Sequence, residues 1–165
     1  LVASSLTYSV AGIASRTNGF SGEPTLDGLA WHQRDHPEEY EAITWFNDSV
    51  DGVAVIVTAP GYAYSDHGII SQCTGLPTVL GWEGHEWVWR GSDVAYRGRR
   101  ADIEQIYTSS DTAQLAALLD KYDVTYVYVG RLEREMYGED AGEQLAGFMD
   151  VVFENDGVTV YAVSE

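Results

Sequence analysis

The run Val124-Thr125-Tyr126-Val127-Tyr128-Val129 constrains the fold more than any other stretch of this chain. β-Branched and aromatic side chains lose rotamer freedom in a helix and fit a pleated surface, so this segment is the strongest strand. Tyr122, Tyr126 and Tyr128 then read as strand packing and not as a ligand platform. Val53 to Thr58 is a second β-branched-rich run, of the kind buried on both faces of a sheet. Thr78 to Leu80 reads as a short third strand, and Val151–Glu154 with Val158–Val163 as a hairpin across Asn155-Asp156-Gly157.

Helical patterns separate these strands. Asp35-His36-Pro37-Glu38-Glu39 is a helix start, with proline in the first turn and carboxylates near the positive dipole end. Tyr40, Ile43, Phe46 and Val50 follow at helical spacing, and Gly52 can close the helix. Shorter helices are expected over His67–Thr74 and Ala101–Tyr107. Asp111 with Gln114 predicts a capped helix through Lys121, and Asp140 to Met149 a further one. Alternating strands and helices define an α/β fold: a three-layer sandwich on a mostly parallel sheet with a C-terminal antiparallel hairpin. Residues 1–34, rich in Gly, Ser and Thr, read as an irregular lead-in, and 35–165 as a single domain.

Charge narrows the partners. The 165 residues hold 26 Asp+Glu against 9 Lys+Arg, a net charge of −17, and Lys121 is the sole lysine. A mesophilic domain of this length carries roughly nine or ten lysines, so a source living at high salt is expected. The negative field excludes nucleic acid and anionic membrane surfaces as partners. Cys73, the one cysteine, rules out an internal disulfide and reads as packing. No run of 18 apolar residues exists to span a bilayer. The opening Leu1-Val2-Ala3-Ser4-Ser5-Leu6 has the look of mid-chain sequence, and a missing membrane helix upstream is the expectation.

The stretch Trp82-Glu83-Gly84-His85-Glu86-Trp87-Val88-Trp89-Arg90 places three tryptophans, a histidine, two glutamates and an arginine in nine residues. It reads as a loop. Aromatic faces beside carboxylates and a guanidinium suit a sugar, a polar ligand with apolar faces. Trp82, Trp87 and Trp89 would stack, while His85 and Glu86 would hydrogen-bond hydroxyls. Arg90, with Arg97 and Arg100, would hold an anionic group bidentately. The alternative for the arginines is ion pairing with Asp93, Asp102 and Glu104, and both readings stand. His85-Glu86 lacks the second histidine of a zinc protease, since position 89 is Trp. Convergence of His67, His85, Glu83 and Glu86 on a metal is weaker than hydrogen bonding to backbone, so no metal ligand and no catalytic residue is assigned. Neither nucleotide fingerprint is present, and Ser65, Ser71, His67 and Asp66 lack a nucleophile elbow. Asn47-Asp48-Ser49 matches the glycosylation pattern at a helix end, where capping explains it equally.

The motif resembles that of a known family. Thr74-Gly75-Leu76-Pro77-Thr78-Val79-Leu80-Gly81-Trp82, then His85-Glu86 and Trp89-Arg90, is similar to the central motif of the archaeal and Chloroflexi YYY-domain multi-pass membrane proteins, a family of uncharacterised function. Thr25–Trp31, Ala42–Asn47 and Lys121–Gly130 continue the likeness. The resemblance implies a C-terminal extracytoplasmic domain, at the cell membrane, of a lipid-linked-sugar glycosyltransferase. It implies that Tyr64, Trp82, His85, Glu86, Trp89 and Arg90 line a ligand-facing surface. The membrane-spanning portion of the same polypeptide and a lipid-linked sugar or glycan acceptor are the implied partners. No cofactor is expected in this domain, and a divalent metal in the full-length protein stays open. The alternative is a structural domain whose tryptophans dock on membrane helices or a partner protein.

Overall fold

The computed structural model describes residues 2–22 and 25–164. Four strands, β1 (Val55–Val57), β2 (Val124–Val129), β3 (Met149–Glu154) and β4 (Thr159–Val163), form one sheet in the order β1-β2-β4-β3. The α/β class and the antiparallel hairpin are as expected. The sheet is mixed: β1–β2 is its one full parallel pairing, continued by parallel bridges at Ile56–Thr78 and Gly61–Trp82. Thr78–Leu80 thus contributes a bridge and not a strand, because the chain turns away at Gly81 toward the next helix.

Alternation along the strands feeds two cores, one on each face. Val57, Val127, Val129 and Tyr161 pack with Ile103 and Ile106 of α6 (Arg99–Thr108) and with Leu115, Leu118 and Leu119 of α7 (Thr112–Lys121). Ile56, Tyr128 and Val160 pack on the opposite face with Ala42, Ile43 and Phe46 of α3 (Pro37–Ser49) and Ile70 of α4 (Ile69–Thr74). These three layers are the sandwich. Asp111 caps α7 as its spacing predicts, its carboxylate accepting from Ala113 N–H and Gln114 N–H.

Three local expectations fail. The lead-in is not irregular throughout: it contains α1 (Val2–Arg16) and α2 (Ala30–Asp35). Gly12 inside α1 weakens a helix by only about 1 kcal/mol, too little to break fifteen residues. The expected helix 140–149 is instead a 3-10 turn at Glu143–Gly147, and the helix of this region, α8 (Arg131–Tyr137), lies upstream where none was expected. Gly138 and Gly142, at φ 107° and 77°, interrupt the ladder, and Met149 joins β3 instead. The aromatic loop is a helix, α5 (Glu83–Arg90). Glu83 and Glu86 sit at its positive end, Arg90 at its negative end, and Gly91 closes it with a left-handed φ of 69°. Gly84 lies in the first turn, where its flexibility does little harm.

Candidate functional site

The site lies just beyond the carboxyl end of β1, where open α/β sheets place their ligands. After β1 the chain runs through Gly61, which bridges to Trp82. A methyl group on Gly61 would lie 2.1 Å from His67 Cγ, so only glycine permits this approach. His67 Nδ1 is 3.1 Å from Ser65 Oγ, and that hydroxyl donates to Tyr62 C=O at 2.6 Å. The hydroxyl therefore accepts, which puts the imidazole proton on Nδ1. Burial lowers the pKa of His67 and keeps the ring neutral. Its carbonyl oxygen accepts from Trp82 Nε1 at 2.5 Å, which fixes the indole.

Tyr64 has a left-handed φ of 64°, a conformation that costs a bulky side chain on the order of 1 kcal/mol or more. Its ring is 84% exposed and meets Trp82 at 5.5 Å and His85 edge-on at 5.0 Å between centroids. Trp82 and His85 meet at 5.0 Å, almost perpendicular. Three rings from two segments thus form one cluster.

Between Trp82 and His85 of this cluster and α4 opens a cavity of about 500 Å³, which the expected Tyr64 does not line. Its volume is in the range of small-molecule sites (roughly 300–1,000 Å³). Trp82, His85, Glu86, Trp89 and Arg90 form its α5 wall. The spacing explains this: the four on α5 recur every three or four residues and share one helical face. Ser71 and Gln72 of α4, with Thr78, complete it. The sequence offered no sign of these three, because polar residues on a short helix do not reveal which of them faces a cavity. Trp89 is 86% exposed, so its ring face is open to a ligand. Trp87 and Val88 point elsewhere, exposed by 58% and 68%.

Arg97 and Arg100 do not line the cavity. Arg97 Nη2 pairs with Asp93 at 2.8 Å and Arg100 Nη2 with Glu83 at 2.8 Å, while Arg90 Nε donates to Glu86. Asp93 is one of the partners expected from the sequence. Asp102 instead binds Lys121 and Tyr122, and Arg99 donates to Val79 C=O at 2.7 Å. His67, His85, Glu83 and Glu86 do not converge, and among the described residues no three His, Cys, Asp or Glu side chains are placed to hold a metal.

A second polar group lies beneath the site. Glu133 is 3% exposed and accepts from Ala59 N–H at 2.7 Å and Gly130 N–H at 3.0 Å, joining the carboxyl ends of β1 and β2. Burial pushes its carboxyl up to about 7 against the opposing pull of those two bonds. Glu39 is also buried, at ion-pair distance from His32 Nε2 (3.2 Å) and Arg131 Nε (3.3 Å). Burial lowers the pKa of His32, although Glu39 draws it the other way.

No protein-family model matches the chain, and no curated protein does. The fold is similar to a solved structure, the C-terminal globular domain of an oligosaccharyltransferase from Archaeoglobus fulgidus. The TM-score is 0.51 at 12% identity, over 87% of this chain and 100% of that one. At this identity the likeness establishes the α/β fold. No helix among the described residues is long and apolar enough to cross a membrane.

Proposed function

We propose that this chain is the extracytoplasmic, glycan-binding domain of a membrane-embedded glycosyltransferase. The cavity engages the sugar of an acceptor or a lipid-linked donor, and the membrane-spanning portion of the polypeptide performs the transfer. The observation that carries this reading is a concave, open site with two indoles in its wall beside an imidazole, a carboxylate, hydroxyls and an amide. Such a lining is apolar with a few convergent polar groups, the usual character of a ligand pocket. The fold shared with an oligosaccharyltransferase domain supports the glycosylation setting, as does the resemblance to YYY-domain proteins. The deficit of lysine and the net charge of −17 support a salt-adapted source.

Titration of the chain with neutral oligosaccharides, followed by indole fluorescence, tests this. Saturable quenching that Trp89→Ala abolishes is expected, with no glycosyl transfer by the domain alone. An unchanged fluorescence across all sugars would remove the reading. A second role is favoured by Trp87 and Val88, which are exposed away from the cavity: this side of α5 docks on the membrane portion or a partner protein. Trp87→Ala then weakens that association and leaves sugar binding intact.

A further inference from the structure

We infer that the cavity selects an uncharged sugar unit, held by the Ser71 hydroxyl, and rejects a phosphorylated one. This rests on the proposed glycan reading of the same site and narrows its substrate class. Ser71 Oγ is buried and has no hydrogen-bond partner among the described residues. A serine inside a helix can return its hydroxyl to the carbonyl four residues back. Thr74 does so, donating to Ile70 C=O at 2.7 Å. For Ser71, in the first turn of α4, the residue four back is His67, which lies outside the helix before Gly68 at a left-handed φ of 89°. Its carbonyl turns to Trp82 Nε1 at 2.5 Å. With no helical carbonyl four residues back, the Ser71 hydroxyl is left unpaired in the cavity wall. A buried hydroxyl without a partner destabilises the free protein, and a ligand hydroxyl would satisfy it.

Charge excludes the anion. The guanidinium in the lining, Arg90, is closed on Glu86, and Arg100 beside it is closed on Glu83. Only Oε2 of Glu86 takes the Arg90 bond among the described residues, so Oε1 is left to accept a sugar hydroxyl. A carboxylate accepts from a hydroxyl donor and repels a phosphate, whose oxygens near neutral pH are chiefly acceptors. Gln72 and Thr78 add an amide and a hydroxyl, which pair with sugar hydroxyls in either direction. The net charge of −17 adds long-range repulsion.

The test compares methyl glucoside, methyl mannoside and N-acetylglucosamine with glucose 1-phosphate, mannose 1-phosphate and inorganic phosphate, by calorimetry on the whole chain. At least one neutral sugar is expected to bind at least about tenfold more tightly than every phosphorylated probe at low salt. Ser71→Ala is expected to weaken the neutral sugar roughly fivefold while leaving the unfolding midpoint of the free chain unchanged or raised. Equal or tighter binding of a phosphorylated probe overturns the inference without any variant, and leaves the glycan reading standing. Ser71→Ala with unchanged affinity and a lowered midpoint overturns it too, by showing that the hydroxyl serves the fold. If no probe of either kind binds, both readings fall together.

Discussion

Ala59 N–H donates to Glu133 Oε1 at 2.7 Å across 74 residues of sequence, and the other oxygen of that carboxylate takes Gly130 N–H. One buried side chain therefore closes the carboxyl ends of both parallel strands, directly behind the loop that carries the site. The carboxyl is held at about 7, against 4.5 in the unfolded chain. The folded state thus binds more protons between those values. Protonation of Glu133 contributes stability that is fully present below 4.5 and lost as pH rises through 7. Glu133→Gln removes this dependence but loses an acceptor for one N–H. Relative to the parent, the variant should gain on the order of 3 kcal/mol between pH 4.5 and 8. Urea denaturation at several pH values measures it. A stability difference that ignores pH would show an ordinary carboxylate.

The Trp82–His67 bond makes its own prediction. Trp82→Phe keeps an aromatic ring but removes the donor to the His67 carbonyl. It should lower stability by about 1 kcal/mol, because the carbonyl is left without its indole donor. Denaturant midpoints for the two proteins decide it; identical values would mean the bond is absent in solution.

Gly61→Ala forces a methyl group to within 2.1 Å of His67 Cγ and 2.4 Å of its Nδ1. The imidazole cannot retreat without leaving Ser65, so the strain should reduce stability by about 1–3 kcal/mol. The His67 ring resonances should move with it. A parent-like spectrum and melting temperature would contradict the close approach.

Salt gives the fourth prediction. The ion pairs of Arg90, Arg97 and Arg100 are half exposed and contribute little each. Self-repulsion among the excess acids, −17 overall, outweighs them. Raising sodium chloride from about 0.1 M to about 1 M shortens the screening length from about 10 Å to about 3 Å. The melting temperature should rise by several degrees, and calorimetric scans at each salt level test this. A fall would mean that attraction within the ion pairs outweighs the repulsion.

Local signals were legible where the answer was local. Pro37 with Glu38 and Glu39, the Asp111 cap, the β-branched run Val124–Val129 and the turn at Asn155 each led to an element close to its observed bounds. Helix α5 was not legible, because three tryptophans and a glycine resemble a binding loop in composition. What makes it a helix is charge order, acids first and arginine last, with a glycine beyond. The helix expected at 140–149 shows the opposite error: Gly142, at a left-handed φ of 77°, precedes only a short 3-10 turn.

The sequence alone determined an α/β chain with strands that must be buried, an acidic surface, and an aromatic motif on which a site could be built. These follow from side-chain shape and charge, which act over a few residues. Tertiary structure alone decided that the arginines offered to an anion are taken by neighbouring acids, and that Ser71 stands unpaired beside Trp82. It also decided that Glu133 is buried between two strand ends. The Glu86–Arg90 and Asp93–Arg97 pairs are four residues apart and follow once the chain there is known to be helical or turned. Arg100 with Glu83, Ser71 beside Trp82 and Glu133 with Ala59 depend on groups that meet across longer stretches of chain, which spacing does not reveal.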